Sequence, residues 1–245
     1  MRWIDGFWMS WGMFLAIPCP CKRWNEEARG QMLCCLPLVG GVAGGLWALL
    51  AWLLGILNAP GPLKAFVLAV LPWLATGFLH LDGFMDVCDA VLSRRDLATR
   101  QKILKDSHCG AFAVISMVLL AGGQWSVFLS LDDYRLLSLG LVPVATRGCA
   151  ALAVQLLRPM GTSQYAAMAR AKKGNLAFLA VVTAAACAVP LGLYGRAGAA
   201  PLGAGIGYWL AALGARRNLD GMSGDVSGFA LTLGELAGAA LLLIK

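Results

Sequence analysis

Charged side chains are scarce in this chain. Only 13% of its 245 residues are Asp, Glu, Lys or Arg, whereas 59% are hydrophobic and the mean hydropathy is +0.72. Soluble domains carry about a quarter charged residues. The composition therefore excludes an ordinary soluble domain and predicts one integral membrane domain over residues 1–245.

Several sequence motifs are also missing. The eight cysteines form no pair of C-x-x-C motifs, which argues against a zinc site. The chain has no Walker lysine motif, so it lacks the sequence that drives ATP-dependent transport. The net charge of +7 comes without a nucleic-acid-binding motif, and the basic residues lie in short loops between apolar runs. We therefore expect a lipid bilayer, and no nucleic acid, as the partner of these charges.

The apolar runs predict an all-α fold with about seven transmembrane helices, six or seven in number. Residues 1–20 are rich in aromatic side chains but too short to span, so they predict an N-terminal interfacial or re-entrant helix. The first span contains four glycines that would allow close helix packing, Gly40, Gly41, Gly44 and Gly45. The predicted spans are residues 33–57, 63–81, 109–131, 136–157, 175–194, 201–215 and 226–244.

The distribution of basic residues predicts the orientation of these spans. Alternate loops would hold fifteen of the twenty Lys and Arg residues on one side and four on the other, with Arg147 inside a span. The positive-inside rule assigns the basic side to the cytoplasm. Segments 82–108, 158–174 and 216–225 would then meet at the cytoplasmic face of a prokaryotic inner membrane.

A group of aspartates follows the second apolar run. On a helix, Asp82, Asp86 and Asp89 would lie within a wedge of about 60°. Carboxylates so close together repel one another unless a cation lies between them, and Asp oxygens suit Mg²⁺. The alternative is a solvated acidic first turn, which the helix dipole favours. Because charge beside a hydrophobic span is usually functional, we favour the metal site.

Two further polar segments are candidates for chemistry. Lys105, Asp106 and Ser107 precede the third span, where Asp106 and Ser107 could instead simply cap its helix. In segment 216–225 two glycines lie between two aspartates, of which Asp225 is the second. Such a loop can bring carboxylates to a metal and backbone N–H groups to a phosphate, although a plain surface turn is the alternative.

Two charges lie in the middle of predicted spans. Arg147 is a candidate phosphate clamp, and Glu235 could pair structurally with a basic residue. His80 would lie on the side of a regular helix opposite the three aspartates, so we do not assign it as a base.

Clustered carboxylates, a divalent cation and basic residues favour phosphoryl or phosphodiester transfer. A transporter or cation channel with acidic residues on its pathway is the alternative from another class. Transport acids lie near the bilayer midplane, whereas most acids here lie at one end of the spans. A lipid enzyme of the CDP-alcohol phosphatidyltransferase type is disfavoured, because residues 82–86 lack that family's alanine–arginine pair.

The segment T-G-F-L-H-L-D-G-F-M-D-V-C-D at residues 76–89 resembles the TGxLHLDGxxDxxD segment of the cobalamin synthase family, the adenosylcobinamide-GDP ribazoletransferases. Residues 102–114 are similar to that family's IMKDSRIGAFGV segment, and residues 221–228 to its GGVTGDVLG. Residues 16–20 match its early RIPxP. The matches occur in family order and extend over nearly the whole chain.

The resemblance implies a Mg²⁺-dependent membrane transferase. Its substrates would be adenosylcobinamide-GDP and α-ribazole, or α-ribazole 5′-phosphate, and its products adenosylcobalamin, or its phosphate, and GMP. A homo-oligomer and contacts with other cobalamin-assembly enzymes are further expectations. The chain departs from the family pattern at His108, where arginine is often found, and at Thr232, where an acidic residue is often found. Neither residue is assigned a role.

Residue type and position then give a candidate site. We expect Asp82, Asp86 and Asp89 to hold Mg²⁺ against the phosphates, with Asp225 as a further ligand. Lys105 and Arg147 would balance transition-state charge. Asp106 would orient the nucleophile or join the metal shell. The candidate catalytic residues are Asp82, Lys105, Asp106 and Arg147.

Overall fold

The computed structural model describes residues 2–161 and 173–245, and within these ranges the chain is helical and has no strand. The all-α prediction is therefore confirmed. Two short 3₁₀ turns, Glu26–Ala28 and Gly195–Gly198, accompany the helices. The α-helices are α1 (Arg2–Phe14), α2 (Arg29–Cys34), α3 (Leu36–Ile56), α4 (Gly61–Ala75), α5 (Leu79–Leu92), α6 (Leu97–Ile103), α7 (Ala111–Leu129), α8 (Leu136–Leu156), α9 (Lys173–Tyr194), α10 (Ala200–Leu219) and α11 (Gly224–Leu241).

The predicted count of about seven transmembrane helices is not confirmed. Four helical segments are long and apolar enough to cross a membrane: α3, α7, α8, and α9 with its 3₁₀ extension. A fifth is obtained if α4 and α5 together form one broken span. The helices α10 and α11 occupy the last two predicted runs but do not qualify. Their charges explain this, since Arg216 and Arg217 end α10 and α11 carries Asp225 and Glu235.

The prediction of one continuous span over residues 63–81 is wrong. The helix α4 ends at Ala75, and α5 leaves at an angle of 92°. Gly77 and Phe78 take left-handed φ angles of +58° and +64°, a conformation that ends helices. The Phe78 N–H then donates to the Trp73 carbonyl at 2.8 Å, which satisfies the end of α4. After the bend, the helix that carries the acidic stretch packs against α11 and α7.

Two predicted polar segments contain helix. Segment 82–108 contains most of α5, which agrees with the helix expected for the three aspartates, and also contains α6. Segment 216–225, expected as a loop, is helical up to Leu219 and again from Gly224. The reason is that charged side chains at a helix end remain compatible with helical backbone when they face solvent or a cavity.

Close backbone contact holds α3 against α8, the helix at the centre of the bundle, which also packs against α9, α10 and α11. A Cβ atom on Gly40 would lie 2.5 Å from the Pro143 carbonyl oxygen, and one on Gly44 would collide with the carbonyl of Gly140. The glycine pattern thus serves helix packing at these two positions. Gly45 has nothing within 4 Å of a Cβ atom, so it faces away from this contact.

Gly44→Ala should destabilise the protein by about 1–3 kcal/mol, because its methyl group would meet backbone that cannot move aside. Gly45→Ala on the next residue is the matched control, and it should leave stability unchanged or slightly raised. Thermal unfolding of both variants in detergent measures the difference. Equal melting temperatures for the two variants would contradict the described α3–α8 contact.

Candidate active site

Helices α5 and α11 touch through their backbones at one end of the bundle. A Cβ atom on Gly83 would lie 2.8 Å from the Asp225 Cα, and one on Gly228 would lie 2.9 Å from the His80 carbonyl oxygen. This approach brings Asp225 next to the aspartates of α5. Asp86 lies near enough to Asp82, Asp89 and Asp225 to interact electrostatically with all three. The structure thus brings together the four aspartates predicted as metal ligands.

The start of α11 is fixed beside these carboxylates. Ser223 caps the helix by accepting a hydrogen bond from the Val226 N–H at 3.2 Å, and its hydroxyl lies 3.4 Å from Asp225 Oδ2. The preceding loop is held by two backbone hydrogen bonds of 2.9 Å, from Met160 to Met222 and from Met222 to Arg158. Asp225 therefore lies in the first turn of α11, where the helix dipole favours negative charge.

The α5 aspartates line a cavity of about 240 Å³, here called the acidic cavity. Asp89 packs over Gly110, where a Cβ atom would collide with the Asp89 carboxylate. The polar residues that line the acidic cavity are Asp82, Asp86, Asp89, Asp106, Ser107, His108 and Cys109. Four carboxylates converge on it.

Asp106 lies in the linker between α6 and α7. Its Oδ1 is hydrogen-bonded to the ring Nδ1 of His108 at 2.6 Å and accepts from the His108 backbone N–H at 3.0 Å. The His108 side chain is the main reason that the pKa of Asp106 lies below its ordinary value, and the backbone bond adds to the effect. The alternative interpretation as a helix cap is wrong, because α7 begins after Gly110 without a side-chain cap.

A second cavity of about 440 Å³ adjoins the first, and Asp82 lines both. Here it is called the apolar cavity, because most of its wall is hydrophobic. Its apolar lining comes from α1, the α2–α3 region, α5, α8 and α11 and includes Met13, Phe14, Leu33, Leu36, Leu79, Leu104, Ala150, Val154, Met160 and Leu231. Its polar lining is His80, Asp82, Lys105, Ser223, Asp225 and Ser227. Lys105 therefore lies with Asp82 and Asp225.

Arg147 and Glu235 form a buried ion pair between α8 and α11. The two side chains are 1% and 4% exposed, and Arg147 Nη1 lies 2.6 Å from Glu235 Oε1. The structural pairing considered for Glu235 is thus observed. Within the described part of the chain, Arg147 and Glu235 line neither the acidic nor the apolar cavity. Contact between Arg147 and a phosphate stays a prediction.

The three polar segments expected on one face do meet. Arg100 donates to the carbonyl and the side-chain oxygen of Asn218, and Gln101 donates to the Leu219 carbonyl at 2.9 Å. Arg158 pairs with Asp220. Arg170 and Lys172, which belong to the predicted loop 158–174, lie outside the described residues.

The donor chemistry of the acidic cavity fits Mg²⁺. Within residues 2–161 and 173–245, no three His, Cys, Asp or Glu side chains are placed to bind a single ion by themselves. Mg²⁺ does not require such a group, since it usually keeps several waters and binds one or two carboxylates plus substrate phosphates. Asp82, Asp86 and Asp89 supply suitable oxygens from α5, and Asp225 of α11 supplies another from the adjoining apolar cavity.

A family model described as cobalamin-5-phosphate synthase matches residues 6–243 of the chain. The chain belongs to this family. The resemblance identified in the sequence is therefore confirmed over nearly its full length.

Relatives of the cobalamin-5-phosphate synthase family extend over the same length. A protein of Clostridium perfringens strain 13 is 36% identical over 243 residues, which cover 96% of this chain and 95% of the relative. A protein of Clostridium botulinum strain Alaska E43 is 34% identical and covers 95% and 94%, and one of Geobacillus kaustophilus is 33% identical and covers 93% and 92%. All three carry the name adenosylcobinamide-GDP ribazoletransferase. No solved structure matches the chain.

Sequence reasoning missed several residues of this synthase site. The apolar run of α1 gave no signal that Met13 and Phe14 line a cavity, because that contact depends on the tertiary fold. His80 was given no role in the sequence analysis, yet it lines the apolar cavity with Asp82. Ser223 could have been found, since a serine before Gly-Asp and an apolar run is a typical helix start.

Arg147→Met should destabilise the synthase by about 3–5 kcal/mol, because it leaves Glu235 charged and unpaired in the interior. The double variant Arg147→Met/Glu235→Gln removes both charges and should recover most of that loss. Thermal unfolding of the two variants and of Glu235→Gln alone completes the cycle. Additive losses, with no recovery in the double variant, would contradict the observed pair.

Proposed function

We propose that this chain is an adenosylcobinamide-GDP ribazoletransferase. It joins adenosylcobinamide-GDP to α-ribazole, or to α-ribazole 5′-phosphate, and yields adenosylcobalamin, or its phosphate, and GMP. Membership of the cobalamin-5-phosphate synthase family over residues 6–243 is the observation that carries this conclusion. The reaction is proposed to take place at the four aspartates near the contact between α5 and α11.

The reaction replaces the phosphoanhydride bond of the diphosphate with a new phosphate ester bond. The 3′-hydroxyl of ribazole attacks the phosphorus next to the cobinamide side chain, and the bond from that phosphorus to the oxygen of GMP breaks. Asp82 lies between the two cavities, so it can accept a hydrogen bond from the attacking hydroxyl. Asp106, whose pKa is lowered by its bonds to His108, is a second ionised carboxylate for orienting groups in the acidic cavity.

Mg²⁺ is the proposed cofactor, held by Asp82, Asp86, Asp89 and Asp225. When bound, it would neutralise charge on the diphosphate and on the leaving GMP. The mutual proximity of these four carboxylates supports the proposal, because their repulsion is relieved by a cation. Lys105, at the edge of the apolar cavity beside Asp82 and Asp225, would balance further negative charge in the transition state.

The site is proposed to face the cytoplasm of a prokaryotic cell across its inner membrane. The excess of basic residues in alternate loops supports this orientation. The hydrogen bonds that join α6 to the end of α10 support a shared face for these loops. A homo-oligomer and contacts with other cobalamin-assembly enzymes stay predictions.

Purified protein in detergent or liposomes should release GMP from adenosylcobinamide-GDP when α-ribazole and Mg²⁺ are supplied. Asp82→Asn should lower that rate at least about 100-fold. Loss of a residue that only supports a metal ligand typically lowers activity by about 10–100-fold, and loss of a direct ligand should lower it more. Asp132→Asn is the matched control, since Asp132 forms an exposed pair with Lys245 and lines neither cavity.

Removal of divalent ions with EDTA should abolish GMP release, and added Mg²⁺ should restore it. Metal-independent release would contradict the cofactor proposal but not the transferase. Folded wild-type protein that moves a solute across liposomes and releases no GMP would contradict the transferase and favour the transporter alternative.

A further inference from the structure

The imidazole of His80 makes no hydrogen bond within the described residues, and its nitrogens are not among the fully enclosed side-chain atoms that lack a partner. His80 is 8% exposed and lines the apolar cavity. Its backbone carbonyl is occupied, because it accepts a hydrogen bond from Thr232 Oγ1 at 3.3 Å. Buried polar side chains are nearly always paired, so a ligand in the cavity is the natural partner for this ring.

The apolar cavity has the size and wall chemistry of a small-molecule site. Its volume of about 440 Å³ lies within the roughly 300–1,000 Å³ typical of ligand pockets. Phe14, Leu36 and Leu231 contribute to its hydrophobic wall, whereas Asp82 and Asp225 lie at its polar part. A ligand that fits this arrangement has an apolar planar part and a hydroxyl-bearing part.

We propose that the apolar cavity is the binding site of the ribazole substrate and that His80 donates a hydrogen bond to its base. This inference rests on the proposed transferase function. The benzimidazole base has one ring nitrogen bonded to ribose and a second with a free lone pair in the ring plane. A neutral imidazole carries one N–H donor, which matches that single acceptor. The ribose then lies toward Asp82, and its 3′-hydroxyl faces the acidic cavity.

The other substrate fits this cavity poorly. A corrin macrocycle with its side chains is far larger than 440 Å³ of space. Guanine would fit by size, but its edges carry several donors and acceptors that a largely apolar wall would leave unpaired. The diphosphate is anionic and belongs with the metal ligands of the acidic cavity. The ribazole base therefore matches the apolar cavity better than any part of the corrinoid nucleotide.

The test compares α-ribazole with an analogue in which a C–H group replaces the free ring nitrogen, the corresponding dimethylindole riboside. Equilibrium dialysis gives the dissociation constants of both compounds for wild-type protein and for His80→Phe. Wild type should bind the analogue about tenfold more weakly than α-ribazole, the size of one hydrogen bond. His80→Phe should bind both compounds equally, because the partner of the nitrogen is gone.

The chain contains one other histidine, which serves as a matched control. His108 lines the acidic cavity, so His108→Phe should keep the tenfold discrimination. His80→Gln retains a side-chain N–H and should discriminate between the compounds if His80→Phe does not fold. Equal discrimination by wild type and His80→Phe, loss of discrimination in a folded His80→Gln, or no binding of α-ribazole at all would overturn the inference. Because dialysis needs no turnover, binding without GMP release would refute the proposed function alone.

Discussion

Backbone contact between α5 and α11 is the constraint on which the candidate site depends. At Gly83 and Gly228 the two helices approach so closely that neither residue has room for a Cβ atom. That distance places Asp225 of α11 against the aspartates of α5, although nearly 140 residues of chain separate them. Without a bound cation, electrostatic repulsion among four carboxylates in one small region is unfavourable. The proposed Mg²⁺ would relieve this repulsion and allow an anionic diphosphate to bind there.

The same contact separates two environments that a ribazole transfer would require. Asp82 lines the acidic cavity, where carboxylates and the Asp106–His108 pair are gathered. It also lines the apolar cavity, to which α1 and α8 contribute side chains. A polar diphosphate in the first cavity and a largely apolar nucleoside in the second could then both reach the same aspartate. The transfer reaction would take place where the two cavities adjoin.

The sequence predicted the helical class, the approximate positions of the apolar runs and the residues of the acidic cavity. These features are local, because the aspartate spacing and the hydrophobic runs can be read from neighbouring residues. The 92° bend between α4 and α5 was not predicted, since Gly77 and Phe78 lie within an apolar run that reads as one span. Their left-handed angles depend on how α5 packs.

The pairing of Arg147 with Glu235 illustrates the same limit. Sequence reasoning identified both as charges inside apolar helices, but it could not choose between a substrate contact and a structural partner 88 residues away. That His80 lines a cavity together with Asp82 was not predicted either. The helical wheel was applied correctly, but the apolar cavity extends around the first turn of α5 and so reaches His80 as well as Asp82.

The proposed Mg²⁺ site takes its ligands from aspartates of two helices, α5 and α11. Titration of the purified protein with Mn²⁺, followed by electron paramagnetic resonance of the free ion, measures this directly. We expect Asp86→Asn on α5 and Asp225→Asn on α11 each to weaken Mn²⁺ binding by about tenfold or more. Unchanged Mn²⁺ affinity in Asp225→Asn, with loss only in the α5 variant, would contradict a site shared by the two helices.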